Sequence, residues 1–251
     1  PKPAAIPPPG ADDVAPPAIA VNGLTKRFGK ATAVDGLSFA ARPGQTVALW
    51  GPNGAGKTTV LRCLLGLYPF EGSLSVAGHP CGPRGRASRR ALGYVPQEVR
   101  LHADDTVRDT VRFYARLRGV APERGERLID EWGLGDVVRR PVRHLSGGMR
   151  QKLALVVALL ADPPVLLLDE PTSNLDARTR REFVELLLRL KAAGKTMLFC
   201  THRPSEVWRL ADHVVVLERG RKVVEGPPEQ VRLHLSTAAR LGLKIGRASC
   251  R

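Results

Sequence analysis

The chain has 251 residues and carries 39 lysines and arginines against 24 aspartates and glutamates, which gives a formal net charge of +15. This length suits one large α/β domain, or a core with a small inserted subdomain, and a second full domain is not expected. No apolar stretch reaches the roughly 18 residues that a membrane-spanning helix needs, so we do not expect the chain itself to cross a bilayer.

The two ends of the chain are not expected to belong to the fold. Residues 1–17 are rich in proline and poor in large apolar side chains, so we predict a disordered lead there. That segment also lacks a basic stretch followed by an apolar one, so we expect no cleavable signal and a cytoplasmic location. Residues 236–251 are predicted to form a tail. Within it, residues 245–251 resemble a translated sequencing adapter, so we interpret them as a non-native scar.

The first predicted strands are at residues 19–24, 37–41 and 46–50. A glycine-rich segment follows them and precedes a helix predicted at residues 57–66. A strand, a loop and a helix in this order are the context that a phosphate-binding loop requires. The segment fits the motif G-x-x-x-x-G-K-[ST], and the residues assigned to ATP binding there are Gly51, Pro52, Asn53, Gly54, Ala55, Gly56, Lys57, Thr58 and the following Thr59.

This loop predicts a nucleoside triphosphate and Mg²⁺ as ligands. Its glycines allow successive backbone N–H groups to turn inward around the phosphates. Lys57 is placed to reach the terminal phosphates, and Thr58 offers a hydroxyl to Mg²⁺. The N-terminus of the following helix adds a partial positive charge of about half a unit, which also favours phosphate.

The middle of the chain changes to a helical pattern and then returns to strands. Residues 105–160 are predicted to form an inserted helical subdomain, with helices at 106–117, 122–132 and 149–161. Strands are predicted at 165–168, 196–200, 214–217 and 222–224, and a helix at 177–192. Because the valine and leucine runs do not alternate with polar residues, we expect a mostly parallel sheet that is covered on both faces.

Two carboxylates, Asp169 and Glu170, end the predicted buried strand at 165–168. For an isolated Asp-Glu pair, an acidic cap of the strand would be the simpler interpretation. Beside a phosphate-binding loop, the pair instead favours a role for Asp169 in holding Mg²⁺ and for Glu170 in polarising the water that attacks the γ-phosphorus.

A second motif, Leu145-Ser146-Gly147-Gly148-Met149, lies between the helical segment and these carboxylates. Together with the phosphate loop and the acidic pair, it resembles the nucleotide-binding domain of an ATP-binding cassette (ABC) transporter, from about residue 18 to about residue 230. The resemblance implies an α/β P-loop NTPase core at residues 18–235 with an antiparallel N-terminal β subdomain and the inserted helical subdomain. Met149 stands where glutamine is commonest in that family, which puts any polar contact of this side chain in doubt.

The resemblance also assigns roles to four single residues. Gln97 stands in the position of the Q-loop, whose amide oxygen ligates Mg²⁺. His202 resembles the switch histidine that contacts the γ-phosphate, and its place after a predicted strand supports a functional role. Asp176 resembles the D-loop. Phe28 occupies the place of a tyrosine that stacks on adenine, and the alternative is that it only packs against the first strands.

In the family, two such domains pair head to tail and hold each ATP between them. The resemblance therefore implies a homodimer or heterodimer in which Ser146, Gly147, Gly148 and Met149 of one chain contact the nucleotide bound to Lys57 of the other. Closing and reopening of this dimer would couple ATP hydrolysis to work.

The function implied is that of a cytoplasmic ATPase subunit, peripheral on the inner face of the cell membrane, that powers transport through separate transmembrane permease subunits. Residues 90–97 and 110–119 look most like exporter-type single-domain subunits of the drug, haem or copper-maturation groups. The alternative is a soluble ABC-type ATPase that acts on ribosome or DNA complexes, although such proteins usually carry two cassettes or coiled-coil insertions. A small-molecule P-loop kinase would leave the second motif without a role.

Charge and cysteines add little to this interpretation. The net charge raises nucleic acid or an anionic membrane as a partner, but the arginines are scattered and show no aromatic-interleaved basic strip, so nucleic-acid binding is not favoured. The cysteines show no spacing typical of zinc, and we expect buried thiols at Cys63, Cys81, Cys200 and Cys250.

Overall fold

The structure is a computed structural model, and it describes residues 16–240 of the chain. The predicted scar at 245–251 and all but the last two residues of the predicted lead lie outside the described residues. The described chain folds into two sheets and eight α-helices.

The first sheet is antiparallel and has the strand order β2-β1-β4-β5. Its strands are β1 Ile19–Phe28, β2 Ala31–Ala41, β4 Glu71–Val76 and β5 His79–Pro80. Strands β1 and β2 are longer than predicted. The register shifts between them around Gly23 and Gly36, both at positive φ, and these irregularities break the alternation that the sequence pattern relies on.

The second sheet has six strands in the order β10-β9-β3-β8-β7-β6. The strands are β3 Thr46–Trp50, β6 Leu92–Val95, β7 Val165–Asp169, β8 Thr196–Thr201, β9 His213–Glu218 and β10 Arg221–Gly226. Strands β9, β3, β8, β7 and β6 run parallel, and β10 pairs antiparallel with β9. All residues of β3, β7 and β8 are buried, which confirms the prediction of a mostly parallel sheet covered on both faces.

The helices are α1 Lys57–Leu64, α2 Arg86–Arg90, α3 Val107–Arg118, α4 Pro122–Glu131, α5 Gly147–Leu159, α6 Ala177–Ala192, α7 Pro204–Leu210 and α8 Pro228–Arg240. Helix α1 ends before the predicted residue 66, where Gly66 adopts φ +72°. Helix α5 begins at Gly147, two residues earlier than predicted, because the Ser146 hydroxyl caps it. Helix α8 continues beyond residue 235, where the sequence placed the end of the domain. Within residues 16–240, no helix combines the length and the apolar character that a membrane span requires.

Two apolar cores lie on opposite faces of the six-stranded sheet, and neighbouring residues of one strand serve both. Trp50 on β3 packs in the core formed with the helices α3 to α7, whereas Leu49 packs in the core shared with α1 and the antiparallel sheet. On β8, Phe199 and Leu198 divide in the same way. The strands of this sheet are therefore fixed from both sides, and so are the loops that leave their ends.

Candidate active site

The phosphate loop, the two predicted carboxylates and the predicted histidine gather at one edge of the six-stranded sheet. The glycine-rich loop follows β3, Asp169 ends β7 with Glu170 next to it, and His202 follows β8. These three strands are parallel neighbours, so their carboxyl ends meet at the same edge, which is where open α/β sheets bind ligands.

The glycines of the loop are required by the backbone. Gly54 and Gly56 adopt φ values of +80° and +100°, which residues with a side chain rarely adopt. A Cβ atom at Gly56 would lie 2.5 Å from the carbonyl oxygen of Ala33, and one at Gly51 would lie 2.2 Å from that of Leu217. The loop is thus packed directly against the backbone of both sheets, which leaves its other side open for a ligand.

Lys57 is buried at the start of α1 and points back across the loop. Its ammonium group donates hydrogen bonds to the carbonyl oxygens of Gly51 at 2.9 Å and Pro52 at 3.0 Å. The same Nζ lies 3.4 Å from Oε1 of Glu170. Because the Lys57 side chain is only 4% exposed, the loop carbonyls and the carboxylate take the place of water around the charge.

Thr58 and Asp169 connect the loop to β7. The Thr58 hydroxyl donates a hydrogen bond of 2.9 Å to Oδ1 of Asp169. Burial raises the pKa of Asp169, the hydrogen bond from Thr58 lowers it, and the neighbouring Glu170 carboxylate raises it further, with a net upward shift. The Thr58 hydroxyl and the Asp169 carboxylate therefore meet in a buried environment that makes the ionised form of the carboxylate less favourable.

Glu170 and His202 form the next contact along the edge. Nδ1 of His202 lies 3.1 Å from Oε2 of Glu170, and the Glu170 backbone N–H donates to the Cys200 carbonyl at 3.1 Å. Glu170 adopts φ +43°, a left-handed conformation that is uncommon for a residue with a side chain. Through this turn the chain brings the carboxylate back toward the loop, so that Lys57, Glu170 and His202 form a continuous chain of contacts.

A cavity of about 380 Å³ opens at the loop. Its lining residues are Ala33, Asn53, Gly54, Ala55, Gly56, Lys57, Thr58, Thr59, Gln97 and Glu170. The N-terminal end of α1, with unpaired backbone N–H groups and the ammonium of Lys57, faces this space. These groups suit a phosphate chain, whose charge they would balance, and so the cavity fits the nucleotide that the motif predicts.

The residues Ser146 to Met149 lie elsewhere. Within the described chain they are not among the residues that line the loop cavity. Gly147 instead lines a second cavity, of about 200 Å³, together with Ser173, Asn174 and Leu175 of the predicted D-loop segment. Gln97 lines both cavities, so it lies between the phosphate loop and the second motif.

The segments that contain Ser146 and Asp176 lie outside the phosphate loop. Each of these two residues caps the N-terminus of a helix with its side chain. The Ser146 hydroxyl accepts a hydrogen bond of 3.2 Å from the Met149 N–H at the start of α5. Asp176 accepts hydrogen bonds from the N–H groups of Arg178 and Thr179 at the start of α6. A Cβ atom at Gly148 would lie 2.2 Å from the Thr179 side chain, so glycine lets these two helix ends approach each other.

Phe28 lies at the end of β1, and its side chain is partly covered by neighbours. Its ring packs edge-to-face on Tyr68, with 5.2 Å between the ring centroids. The ammonium of Lys26 lies 4.7 Å from the centre of the Phe28 ring. Phe28 is not one of the residues that line the loop cavity, but 44% of it is exposed. An aromatic surface is therefore free at this position, and stacking on adenine stays a prediction.

Sequence reasoning missed a buried carboxylate next to the site. Glu206 on α7 is 4% exposed and accepts hydrogen bonds from the hydroxyls of Thr172 and Thr201. Thr201 and Glu206 are five residues apart, but Thr172 lies 34 residues from Glu206 and the three carry no recognisable motif, so only the packing of α7 against the loop after β7 brings them together.

The chain shows clear similarity to known proteins. Residues 34–173 match the family described as ABC transporter. The chain is 41% identical over 232 residues to "Nod factor export ATP-binding protein I" of Ralstonia nicotianae, a match that covers 90% of this chain and 72% of the relative. The protein of the same name from Burkholderia lata is 43% identical over 210 residues, with 82% and 69% covered.

Solved structures with the same fold include two ATP-binding cassettes. One is cbiO1 from Clostridium perfringens, described as part of the ABC transporter complex cbiONQ, with a TM-score of 0.79, 25% identity and coverage of 91% of this chain and 96% of that one. The other is an ATP-binding cassette of an ABC transporter in its ADP conformation, with a TM-score of 0.81, 22% identity and coverage of 93% and 100%. The second likeness shows the fold alone, and both confirm the predicted P-loop NTPase architecture.

Proposed function

The chain belongs to the ABC transporter family as an ATP-binding subunit, and from this premise we propose that it powers export through separate membrane permease subunits. Membership of the family makes the chain a nucleotide-binding ATPase. The direction is proposed from the relatives, whose names describe export ATP-binding proteins. The permease partner and a location at the inner face of the membrane belong to the same proposal.

The observation that carries the catalytic part of the proposal is the contact chain at the sheet edge. Lys57 lies 3.4 Å from Glu170, and Glu170 lies 3.1 Å from His202. We assign the loop residues and Lys57 to binding of the phosphates. Glu170 would accept a proton from the attacking water, and His202 would hold that carboxylate and the terminal phosphate in position.

Thr58, Asp169 and Gln97 would hold Mg²⁺. They offer a hydroxyl, a carboxylate and an amide oxygen, and Mg²⁺ prefers hard oxygen ligands of this kind. The Thr58 and Asp169 oxygens already lie 2.9 Å apart, and Gln97 lines the cavity that the loop forms. The ion would balance the charge of the phosphates.

We further propose that ATP joins two subunits. Within the described chain, Ser146 to Met149 do not line the cavity of the phosphate loop, so they would contact the nucleotide of a partner subunit. The exposed Ser146 at the N-cap of α5 and the small, half-buried Gly147 suit a phosphate at a helix N-terminus. Phe28 would stack on the adenine of the nucleotide bound to its own chain, and Asp176 would lie at the subunit interface.

The catalytic assignment is tested with Glu170→Gln. We expect the rate of MgATP hydrolysis to fall by roughly 10² to 10⁴, the range typical of a positioned base, while ATP affinity stays near that of the wild type. Phosphate release gives the rate, and equilibrium binding of a fluorescent ATP analogue gives the affinity. Hydrolysis at the wild-type rate would remove Glu170 from the proposed role.

The transport assignment is tested by purification in mild detergent. If the chain powers a transporter, a tagged copy should co-purify with a polytopic membrane protein, and that complex should hydrolyse ATP faster than the chain alone. Sedimentation with ribosomes or DNA, without a membrane partner, would contradict it and support the soluble alternative.

A further inference from the structure

The buried carboxylate of Glu206 connects the two loops that carry the proposed catalytic groups. One oxygen accepts a hydrogen bond from the Thr172 hydroxyl, and the other accepts one of 2.6 Å from the Thr201 hydroxyl. Thr172 lies two residues after Glu170, and Thr201 lies immediately before His202. All three side chains of this bridge are buried, with Glu206, Thr172 and Thr201 at 4%, 2% and 2% exposure.

From this geometry we propose that Glu206 is a positioning residue for ATP hydrolysis: it fixes the distance between Glu170 and His202. The inference rests on the proposed function, since it assumes that these two residues act in the reaction. Glu206 itself would touch neither the nucleotide nor the water.

Thr201 makes the bridge specific for the histidine loop. Its Oγ1 accepts a hydrogen bond of 3.0 Å from the Arg203 N–H while its own hydroxyl hydrogen is donated to Glu206. The Thr201 hydroxyl thus links the residues on either side of His202 and forms a tight turn at that position. A shift of the Glu206 carboxylate would therefore displace this turn through the hydrogen bond with Thr201.

A purely structural role explains the contacts less well. A carboxylate in the first turn of a helix interacts favourably with the helix dipole, but both oxygens of Glu206 accept hydrogen bonds from side chains that lie outside its helix. The cation nearest to it among the described ion pairs is Arg203, whose Nε is 3.9 Å from Oε1 and has no hydrogen-bond partner. The threonine hydroxyls therefore provide most of the compensation for burying the charge, which is costly when it is left unpaired.

The bridge matters for the rate because catalysis depends on the placement of the reacting groups. The contact between Glu170 and His202 is 3.1 Å long, and the strands before them, β7 and β8, pair as far as Asp169 and Cys200, with a further hydrogen bond from the Glu170 N–H to the Cys200 carbonyl. Beyond the end of this pairing, the bridge through Glu206 is what joins the two loops. A misplacement of about 1 Å in such a site can cost about 10²-fold in rate. Loss of the bridge should therefore lower kcat and leave nucleotide binding, which depends on the phosphate loop, nearly unchanged.

The test compares Thr172→Val, Thr201→Val and Glu206→Ala in the full chain. The two valine variants keep the shape of the side chain and remove one hydroxyl each. Thr196→Val is the matched control, because Thr196 is also buried on β8 and its hydroxyl accepts a hydrogen bond from Gly44, at the opposite end of the strand. All four variants are assayed for kcat, KM and thermal unfolding.

We expect Thr172→Val and Thr201→Val to lower kcat roughly tenfold or more and to change KM by less than about threefold. Thr196→Val should lose stability while its kcat stays that of the wild type. Glu206→Ala should be at least as slow as either valine variant, and if it does not fold, the valine variants decide the outcome. Glu206→Gln keeps one acceptor oxygen, so its rate should be partly restored relative to Glu206→Ala.

A double-mutant cycle with His202→Ala separates positioning from a general structural effect. If Thr201 and Glu206 act through His202, Thr201→Val should lower the rate much less in the His202→Ala background than in the wild type. Equal effects in both backgrounds, or a kcat within twofold of the wild type in both valine variants, would overturn the inference. Glu170→Gln measured in parallel keeps the two proposals apart. Normal hydrolysis by that variant would overturn the catalytic assignment on which the inference rests, whereas slow hydrolysis by Glu170→Gln with normal rates in both valine variants would overturn the inference about Glu206 alone.

Discussion

Single residues in the phosphate loop are constrained by backbone geometry, and two neighbouring glycines allow this to be measured. Gly54→Ala meets no atom within 4 Å but keeps a φ of +80°, so it should lose about 1 to 2 kcal/mol of unfolding free energy from left-handed strain. Gly56→Ala has the same kind of strain, and its Cβ would also lie 2.5 Å from the Ala33 carbonyl oxygen.

We therefore expect Gly56→Ala to lose more stability than Gly54→Ala and to bind ATP more weakly, since the loop must move away from Ala33. Urea unfolding and equilibrium binding of ATP check this. Equal losses in the two variants would contradict the close packing of the loop against β2.

The cysteines also give a residue-scale prediction. Burial raises the pKa of Cys63 to about 11, and burial raises that of Cys200 further above its ordinary value. A raised pKa leaves little reactive thiolate at pH 7 to 8. Burial raises the pKa of Cys81 too, but this side chain is only partly buried, so the expectation of a buried thiol was wrong there and a reagent can reach it more easily. Cys250 lies outside the described residues.

In the folded protein at pH 8, we expect a small alkylating reagent to modify Cys81 well before Cys63 and Cys200, with the three becoming similar in urea. Mass spectrometry of the corresponding peptides measures this order. Fast modification of Cys200 without unfolding would show that the core beside Asp169 opens readily.

At the scale of secondary-structure elements, two helix caps separate stability from function. The hydroxyl of Ser146 caps α5 and that of Thr106 caps α3, each by accepting one backbone hydrogen bond, of 3.2 Å and 3.1 Å. The Thr106 hydroxyl also donates a hydrogen bond to Oδ2 of Asp109. Removal of either hydroxyl by alanine should cost about 1 kcal/mol of stability.

Only Ser146→Ala should weaken the ATP-dependent dimer, because only this hydroxyl is proposed to contact a nucleotide. Thr106→Ala is the matched control, and both variants are compared in the Glu170→Gln background by the ATP concentration needed for dimerisation. An equal effect of both substitutions would attribute the loss to helix stability alone.

The elements also show where sequence reasoning succeeded. Strands β3, β7 and β8 and helix α6 follow from continuous apolar runs or regular periodicity, and the structure confirms them. Because of the bulges at Gly23 and Gly36, the sequence pattern predicted only about half of the residues of β1 and β2. The short β6 and α7 escaped detection because too few residues carry their pattern.

For the candidate site, the contiguous motifs located Lys57, Thr58, Asp169 and Glu170 from sequence, and the structure places Lys57 beside Glu170 and Thr58 beside Asp169. The bridge of Thr172, Thr201 and Glu206 could not be predicted, since it joins the loop after β7 to the stretch from Thr201 to Glu206, and these two segments meet only in the fold. More generally, residues that support a functional loop through contacts distant in sequence leave no local motif, so they cannot be identified from the sequence.

For the whole molecule, the central claim is that MgATP joins two chains, with Lys57 of one chain and Ser146 of the partner subunit on the same nucleotide. In the proposed pair, binding would favour the closed form because only that form would contact both sides of the nucleotide, and hydrolysis would remove this difference in affinity. Glu170→Gln should trap the closed pair by slowing hydrolysis.

The most direct test is the mass of Glu170→Gln measured by light scattering with and without saturating MgATP. The account predicts a shift from the 27.2 kDa of one chain to about twice that mass, and its loss when Ser146→Ala is added. A protein that binds MgATP but keeps the mass of one chain, even with its membrane partner supplied, would contradict the account.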